Sequence, residues 1–546
     1  MNRFPFHLSG ARSVVSGALG LSAAFALVGE AVAAPPDFGN KVEQLLGAQV
    51  QQQFGFGQAT TAADAGDNGL TREQESAQQR QDLAKGMKAE FVARNVAFSG
   101  DMISLWPNDL NYTHLMVCIE QGRTPSGVGA NTGRNAGVQR VNVTPGPDYG
   151  KVETILYGMA VCDGIRTTQW GTVVATEETD DGAAYEILDP LGTTGYWIAD
   201  RGAAGADADI RTAFNGVNPD NGEDKIKKRT ALVTQAWEGL EFLDTGVMIG
   251  GDEERSGSSG PDQDGGAIFR FVPEDFYACE GTPVRPGQLC GNLIDDLDDS
   301  PLVAGTNYAM VTQCTGNGNI GQGCEYGRTG AWVEITDPAN ARSEANANGA
   351  TGYCRPEDLH IDRESPMFKG GDGMLWCWTN TCGGTDGETL CTTETNAQAA
   401  AREQVSVNNG LGTFNYLATG TTTASIARPN VTRFVQNDAR MRAHDNLEFQ
   451  PVTRNTYIIE DATWGEIWAC LPDGTDRDLG SDGCVSMLSV NDKDAEPTGF
   501  IFDGTGNAAF YMVQHGEQPE SLLDFTSNPV NGRTDDLIKL TGFKVK

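Results

Sequence analysis

Cys162, Glu177 and Glu178 are the first residues whose types and spacing could do chemistry. They lie in MAVCDGIRTTQWGTVVATEETDDG, Met159 to Gly182, where one cysteine precedes a strand-like run, Thr172 to Ala175, that ends in paired carboxylates. A thiolate and carboxylates converging on one point would ligate an iron-type or mixed metal site. The same residues fit half of a disulfide and a solvated strand end. Further polar clusters close strands or follow turns. They are Glu238, then Asp252 and Glu253; Arg355 with Glu357 and Asp358; His444 with Asp445 and Asn446; Glu496; and His515 in MVQHGEQ. Singly, such acids are turn residues or solvated groups. Brought together, they offer hard oxygen ligands for Ca²⁺ and Fe³⁺.

The elements that must bring them together are strands. From about Val92 the chain consists of short β-prone runs separated by Gly, Asp and Asn, among them THLMVCIE, KVETILYG, GTVVATEE, GVMIGGDEE, TYIIED and AFYMVQH. Two short strands joined by a turn recur, as in NTYIIEDATWGEIWACLPDG. That pattern predicts an all-β fold, a β-propeller with long loop insertions and a few short helices. A pair of β-sandwiches is the structural alternative. In a propeller the innermost strand ends meet at the central channel, so single acids from several blades can build a cage without a local motif. No repeat period is visible. Cysteine-rich stretches at 275–330 and 377–400 read as long loops, and 393–412 as helical or loose.

The chain has 546 residues with 39 basic against 74 acidic side chains, a formal net charge of −35. Such a surface repels nucleic acid and anionic membranes and attracts divalent cations. A phosphorylated substrate would need local cations to reverse the field. Arg3 and Arg12 precede an apolar run from about Val14 to Val28, and Ala31-Val32-Ala33 is a small-x-small cleavage site. Residues 1–33 therefore read as a Sec-type signal peptide, and the protein as periplasmic or secreted. No later stretch is apolar enough for a membrane span. Residues 34–91 read as a loosely structured arm, with a possible helix from Glu73 to Lys88, and 92–546 as the propeller.

All 12 cysteines follow the signal, as suits an oxidising compartment. Cys279 with Cys290, Cys314 with Cys324 and Cys470 with Cys484 are close in sequence, and Cys354, Cys377, Cys382 and Cys391 could form two more bridges. Cys118 and Cys162 remain. Either they pair, or Cys162 is kept for a metal. There is no P-loop, GxSxG elbow, HExxH or dinucleotide fingerprint. Asp473 to Gly483 resembles a calcium loop without EF-hand spacing.

The order of the motifs is more specific than any of them. WGTVVATEE, CRPEDL, RAHDNLEF and EPTGFIFDGTGNAAFYMVQHGEQ, within about 92–546, resemble the PhoX-type alkaline phosphatases. That resemblance implies an exported propeller with iron and calcium in its channel, hydrolysing small phosphate esters. It makes Cys162 an iron ligand, and Glu178 or Glu177, Glu238, Glu357, Asp445 and Glu496 the cage carboxylates. Arg355 becomes the phosphate-binding arginine, and His515 an orienting residue. The chain departs from the family at Asp163-Gly164-Ile165 after the cysteine, at Trp237, at His444 and in lacking a twin-arginine signal. The expected protein is a monomeric phosphatase. The alternatives are a calcium-stabilised, non-catalytic binding or structural propeller and a propeller hydrolase of another type, such as a lactonase.

Overall fold

Six sheets, antiparallel except where Tyr196–Asp200 pairs in parallel with Val152–Tyr157 in blade one, are arranged as the blades of a β-propeller. The computed structural model describes residues 48–60, 69–70, 72, 74–123, 135–213, 220–255, 265–280, 289–312, 330–370, 373–383, 386–395, 428–436, 440–462, 464–472, 483–492, 495–514 and 534–545. The innermost strands are Gly100–Trp106, Cys162–Thr167, Trp237–Phe242, Pro356–Ile361, His444–Phe449 and Glu496–Phe502 in blades one to six. Each packs against the innermost strand of the next, and the last packs against the first, so the ring closes.

Many strands are continuous apolar or small-residue runs because each sheet is covered on both faces by its neighbours. Thr172–Glu177 and Trp237–Phe242 are buried throughout. Glycines permit the closest approach between blades. A Cβ on Gly164 would lie 2.1 Å from the Glu238 carbonyl oxygen of blade three, and one on Gly239 would lie 2.3 Å from the Leu359 nitrogen of blade four.

The chain before residue 92 belongs to this ring. Lys88–Ala97 pairs with Thr534–Thr541 and completes blade six, beside the last strand of the chain. Gln81–Leu83 pairs with Cys484–Val490 as the outer strand of blade five. Phe54 and Phe56 are fully buried in the core between those blades, and Arg72 donates to Asp536 over 2.7 Å. An N-terminal strand beside the last one ties the two ends of the chain into one blade, and the radial arrangement leaves only short, protected edges. The arm expected at 34–91 is therefore packed over much of its length, and the predicted Glu73–Lys88 helix is replaced by turns and the Gln81–Leu83 strand.

Residues 377–395, expected in a loop, form most of the hairpin Gly373–Gly383 and Asp386–Thr395, where Cys377 is bonded to Cys391. Cys279–Cys290 and Cys470–Cys484 are also bridged. The Cys314–Cys324 pair, the Asp473–Gly483 loop except Gly483, the signal segment and most of 393–412 lie outside the described residues. Among the described residues no helix is long and apolar enough to cross a membrane.

Candidate metal centre

The innermost strands share an irregularity that places the acids. In blade one Gly100 pairs with Ile119, but the next pair is Ile103 with Val117, leaving Asp101 and Met102 in a β-bulge. The same slip occurs after Cys162, Trp237, Pro356 and His444. A bulge turns a side chain out of the ladder without ending the strand. Its first residue is Asp101, Asp163, Glu238, Glu357 and Asp445 in blades one to five. In blade six the slip falls later along the strand, Gly499 takes the acid's place, and Glu496 pairs with Gln514. A left-handed residue precedes the inner strand at Ser99 (φ 61°), Val161 (56°), Arg355 (49°) and Ala443 (45°). Such conformations cost energy in side-chain-bearing residues and gather at functional sites.

The second strands supply a further tier. The residue after the last paired position is Glu120, Glu178, Glu253, Thr381 and Asp461 in blades one to five.

These tiers form one buried acidic cluster. Carboxylate oxygens of Glu238, Glu357 and Asp445 lie within 4.8 Å of one another. Glu178 also contacts Glu253, and Glu120 contacts Asp101. Burial, and then the neighbouring acids, push Asp163, Glu178, Glu238, Asp445 and Glu496 well above the usual carboxylate range. Burial also raises Glu120 and Glu357 to about 8 and Asp101 to about 6. Arg355 is held by Glu253 and, at 3.1 Å, by Glu357. Burial works against its charge, but Glu357 and Glu253 more than offset this and raise its pKa. Arg355, with Arg255 acting on Asp461, cannot neutralise so many carboxylates, and touching carboxylates need a proton or a cation between them.

The other end of the same channel is a control. There Arg166 donates to Asp358 at 3.1 Å, His360 lies 3.1 Å from Asp358, and Arg363 pairs with Glu241. Despite burial, these cations hold Glu241 and Asp358 below the usual carboxylate range. Glu357 and Asp358 are adjacent, yet only Asp358 has cations enough. Glu448, 3.6 Å from His360 at that end, is still raised to about 7 by burial, so the compensation there is partial, but the larger excess of negative charge belongs to the other mouth.

That mouth fits hard cations bound through oxygen. Glu357 Oε2 and Asp163 Oδ1 are buried with no hydrogen-bond partner among the described residues.

The fold is comparable with solved propellers. PhoX of Pseudomonas fluorescens, solved with vanadate as a transition-state analogue, superposes with a TM-score of 0.51 at 14% identity, covering 87% of this chain and 98% of that one. The likeness shows the fold. The PQQ domain of pyranose dehydrogenase from Coprinopsis cinerea gives a TM-score of 0.33 at 11% identity, with 86% and 98% covered. The soluble aldose sugar dehydrogenase of Escherichia coli gives 0.37 at 9%, with 84% and 99% covered. No protein-family model matches the chain, and no curated protein does.

Of the residues expected at the site, Glu178, Glu238, Arg355, Glu357, Asp445 and Glu496 meet in the cluster. Two do not serve as expected. Cys162 is bonded to Cys118 with an S–S distance of 2.05 Å, so its sulfur is not a thiolate ligand. Its place, before the bulged acid, is Gly100, Trp237, Pro356 and His444 in other blades. Glu177 accepts from Arg201 at 2.8 and 3.0 Å and from the Ala160 amide at 2.8 Å, so it is a structural anion on the opposite side of the strand from Glu178. Asp252 is likewise held by Arg342 at 2.7 Å while Glu253 enters the cluster. His515 lies outside the described residues. The structure adds Asp101, Glu120, Asp163 and Asp461, and of the pair Asp252 and Glu253 it brings Glu253 in. For Asp101 and Asp163 the signal is in the sequence: GDMI, CDGI, WEGL, PEDL and HDNL are the same bulge written five times.

Proposed function

We propose that this chain is an exported, metal-dependent hydrolase of phosphate monoesters that works at the acidic mouth of the channel. The observation that carries the reading is a large set of buried carboxylates around Arg355 that the nearby arginines do not balance. Glu238, Glu357 and Asp445 would hold a cation, with Asp163, Glu178, Glu253 and Glu496 as further oxygen donors. Ca²⁺ suits this donor set. A thiolate–iron centre does not fit, because the Cys162 sulfur is in a disulfide. Bound there, divalent cations would neutralise phosphate charge and make a nearby water more acidic.

The chain's own contribution is orientation. Arg355 presents a planar fork suited to two phosphate oxygens. Its Nη1 donates to the Thr381 hydroxyl at 2.8 Å, which fixes the fork's plane. Asp445 is anchored at its backbone, where its carbonyl accepts from Thr379. The disulfides support an oxidising compartment, and the signal-like N-terminus supports export.

The disulfide at Cys162 also favours a second reading, a calcium-stabilised propeller that binds a partner and catalyses nothing. Metal analysis by mass spectrometry, with a panel of phosphate esters and lactones, separates the two. The phosphatase reading expects bound divalent metal and turnover of an aryl phosphate. Glu357→Ala should release metal and turnover together. Metal without turnover of any phosphate ester supports the binding propeller; undiminished metal in Glu357→Ala rejects the cage assignment.

A further inference from the structure

We infer that Thr381 is the anion-admitting gap in the acidic mouth, the place where a phosphate group can approach Arg355. The inference rests on the phosphatase reading and deepens it by naming a residue that selects an anionic substrate.

In the blades that share the bulge register, the residue after the last paired position of the second strand is a carboxylate at Glu120, Glu178, Glu253 and Asp461. Blade four breaks the pattern with Thr381, which follows Asn380, the partner of Pro356. The exception falls beside the cluster's arginine. Thr381 is 2% exposed, and its hydroxyl accepts from Arg355 Nη1 at 2.8 Å while donating to Glu357. A carboxylate at 381 would sit against the guanidinium and take the direction a phosphate oxygen needs. Like charge there would also repel the incoming anion. A hydroxyl takes one direction at Nη1 but brings no like charge to repel the anion. It adds no charge, and it holds the fork in one plane, which lowers the ordering cost of binding a tetrahedral oxyanion. Arg355 already lies between Glu253 and Glu357, so an acid at 381 would set a third carboxylate against it.

Thr381 is therefore a positioning and selecting residue, and phosphate binding reports on it more directly than turnover does. Calcium-loaded wild type, Thr381→Glu, Thr381→Ser and Thr381→Val would be titrated with inorganic phosphate by calorimetry. Metal content would be measured on the same samples, and kcat and KM for an aryl phosphate alongside. Thr381→Ser should bind phosphate within about threefold of wild type, because the hydroxyl is kept. Thr381→Glu should lose about tenfold or more in phosphate affinity, with metal content unchanged or higher and the kinetic loss mainly in KM. Thr381→Val, which adds no charge, should fall between them, and it carries the test if the glutamate variant does not fold. Thr381→Glu binding phosphate as tightly as wild type at equal metal content overturns the inference and leaves the phosphatase reading standing. So does Thr381→Val matching wild type. Wild type that holds calcium yet neither binds phosphate nor hydrolyses the ester overturns both.

Discussion

Arg355→Ala should lower turnover of an aryl phosphate by about 10²–10³-fold while the metal content holds, the usual cost of losing one preorganised donor to developing negative charge. The reasoning starts from what the side chain does in the folded protein. Its guanidinium spans the gap between blades three and four, paired with Glu253 on one side and with Glu357 and Thr381 on the other. The backbone places it with a φ of 49°, directly before the bulge that sets Glu357. The side chain is therefore fixed relative to the Glu238–Glu357–Asp445 trio. Removing it deletes no oxygen ligand, so metal should stay. What is lost is the planar pair of donors that a phosphate can engage. Arg355→Lys should recover charge but not the fork, and remain impaired. Steady-state kinetics beside mass-spectrometric metal analysis decide the matter. Wild-type turnover in a fully loaded Arg355→Ala protein would remove the arginine from the mechanism.

The propeller was legible in the sequence because blade strands are short, apolar and punctuated by turns. Part of the acidic cluster was legible too, as strand-end acids that a propeller would gather and, one residue per motif, through a family resemblance. What stayed hidden was the repeat beneath them. A propeller fixes strand register and leaves loop length free, so Asp101, Asp163, Glu238, Glu357 and Asp445 recur at unequal spacings and show no period. Register also explains the error at Glu177 and Glu178. Alternation along a strand sends neighbours to opposite faces, and only the second, like Glu120 after Ile119, stands past the last ladder pair. Bulges decide the first-strand positions, and no propensity scale marks a bulge. Cys162 occupies the ladder position before the bulge, where its chemistry depends on whether Cys118 lies opposite. A distance across two blades could not be read from the chain.

The second large effect concerns pH. Stripped of metal with a chelator, the protein should become less stable as pH rises from about 5.5 to about 9, with the melting temperature falling by on the order of 5 °C. The sign follows from the buried acids. Desolvation raises Glu120 and Glu357 to about 8 and Asp101 to about 6 in the folded chain. The unfolded chain releases these protons near the ordinary carboxylate values. Between those limits the folded state binds more protons, so deprotonation draws the equilibrium toward unfolding, and the loss is complete only above the raised values. Glu241 and Asp358, held low by Arg166, Arg363 and His360, act in the opposite direction, but at lower pH, where acid removes their contribution. A cation does at high pH what protons do at low pH, since it neutralises the same carboxylates. Added Ca²⁺ should therefore restore the melting temperature at pH 9 and matter far less at pH 5.5, and its binding should release protons. Circular dichroism melts with and without Ca²⁺ at both pH values would show this. A chelated protein equally stable at both, and indifferent to Ca²⁺, would mean that the cluster's charge is balanced from within the chain, and the metal centre would have no physical basis.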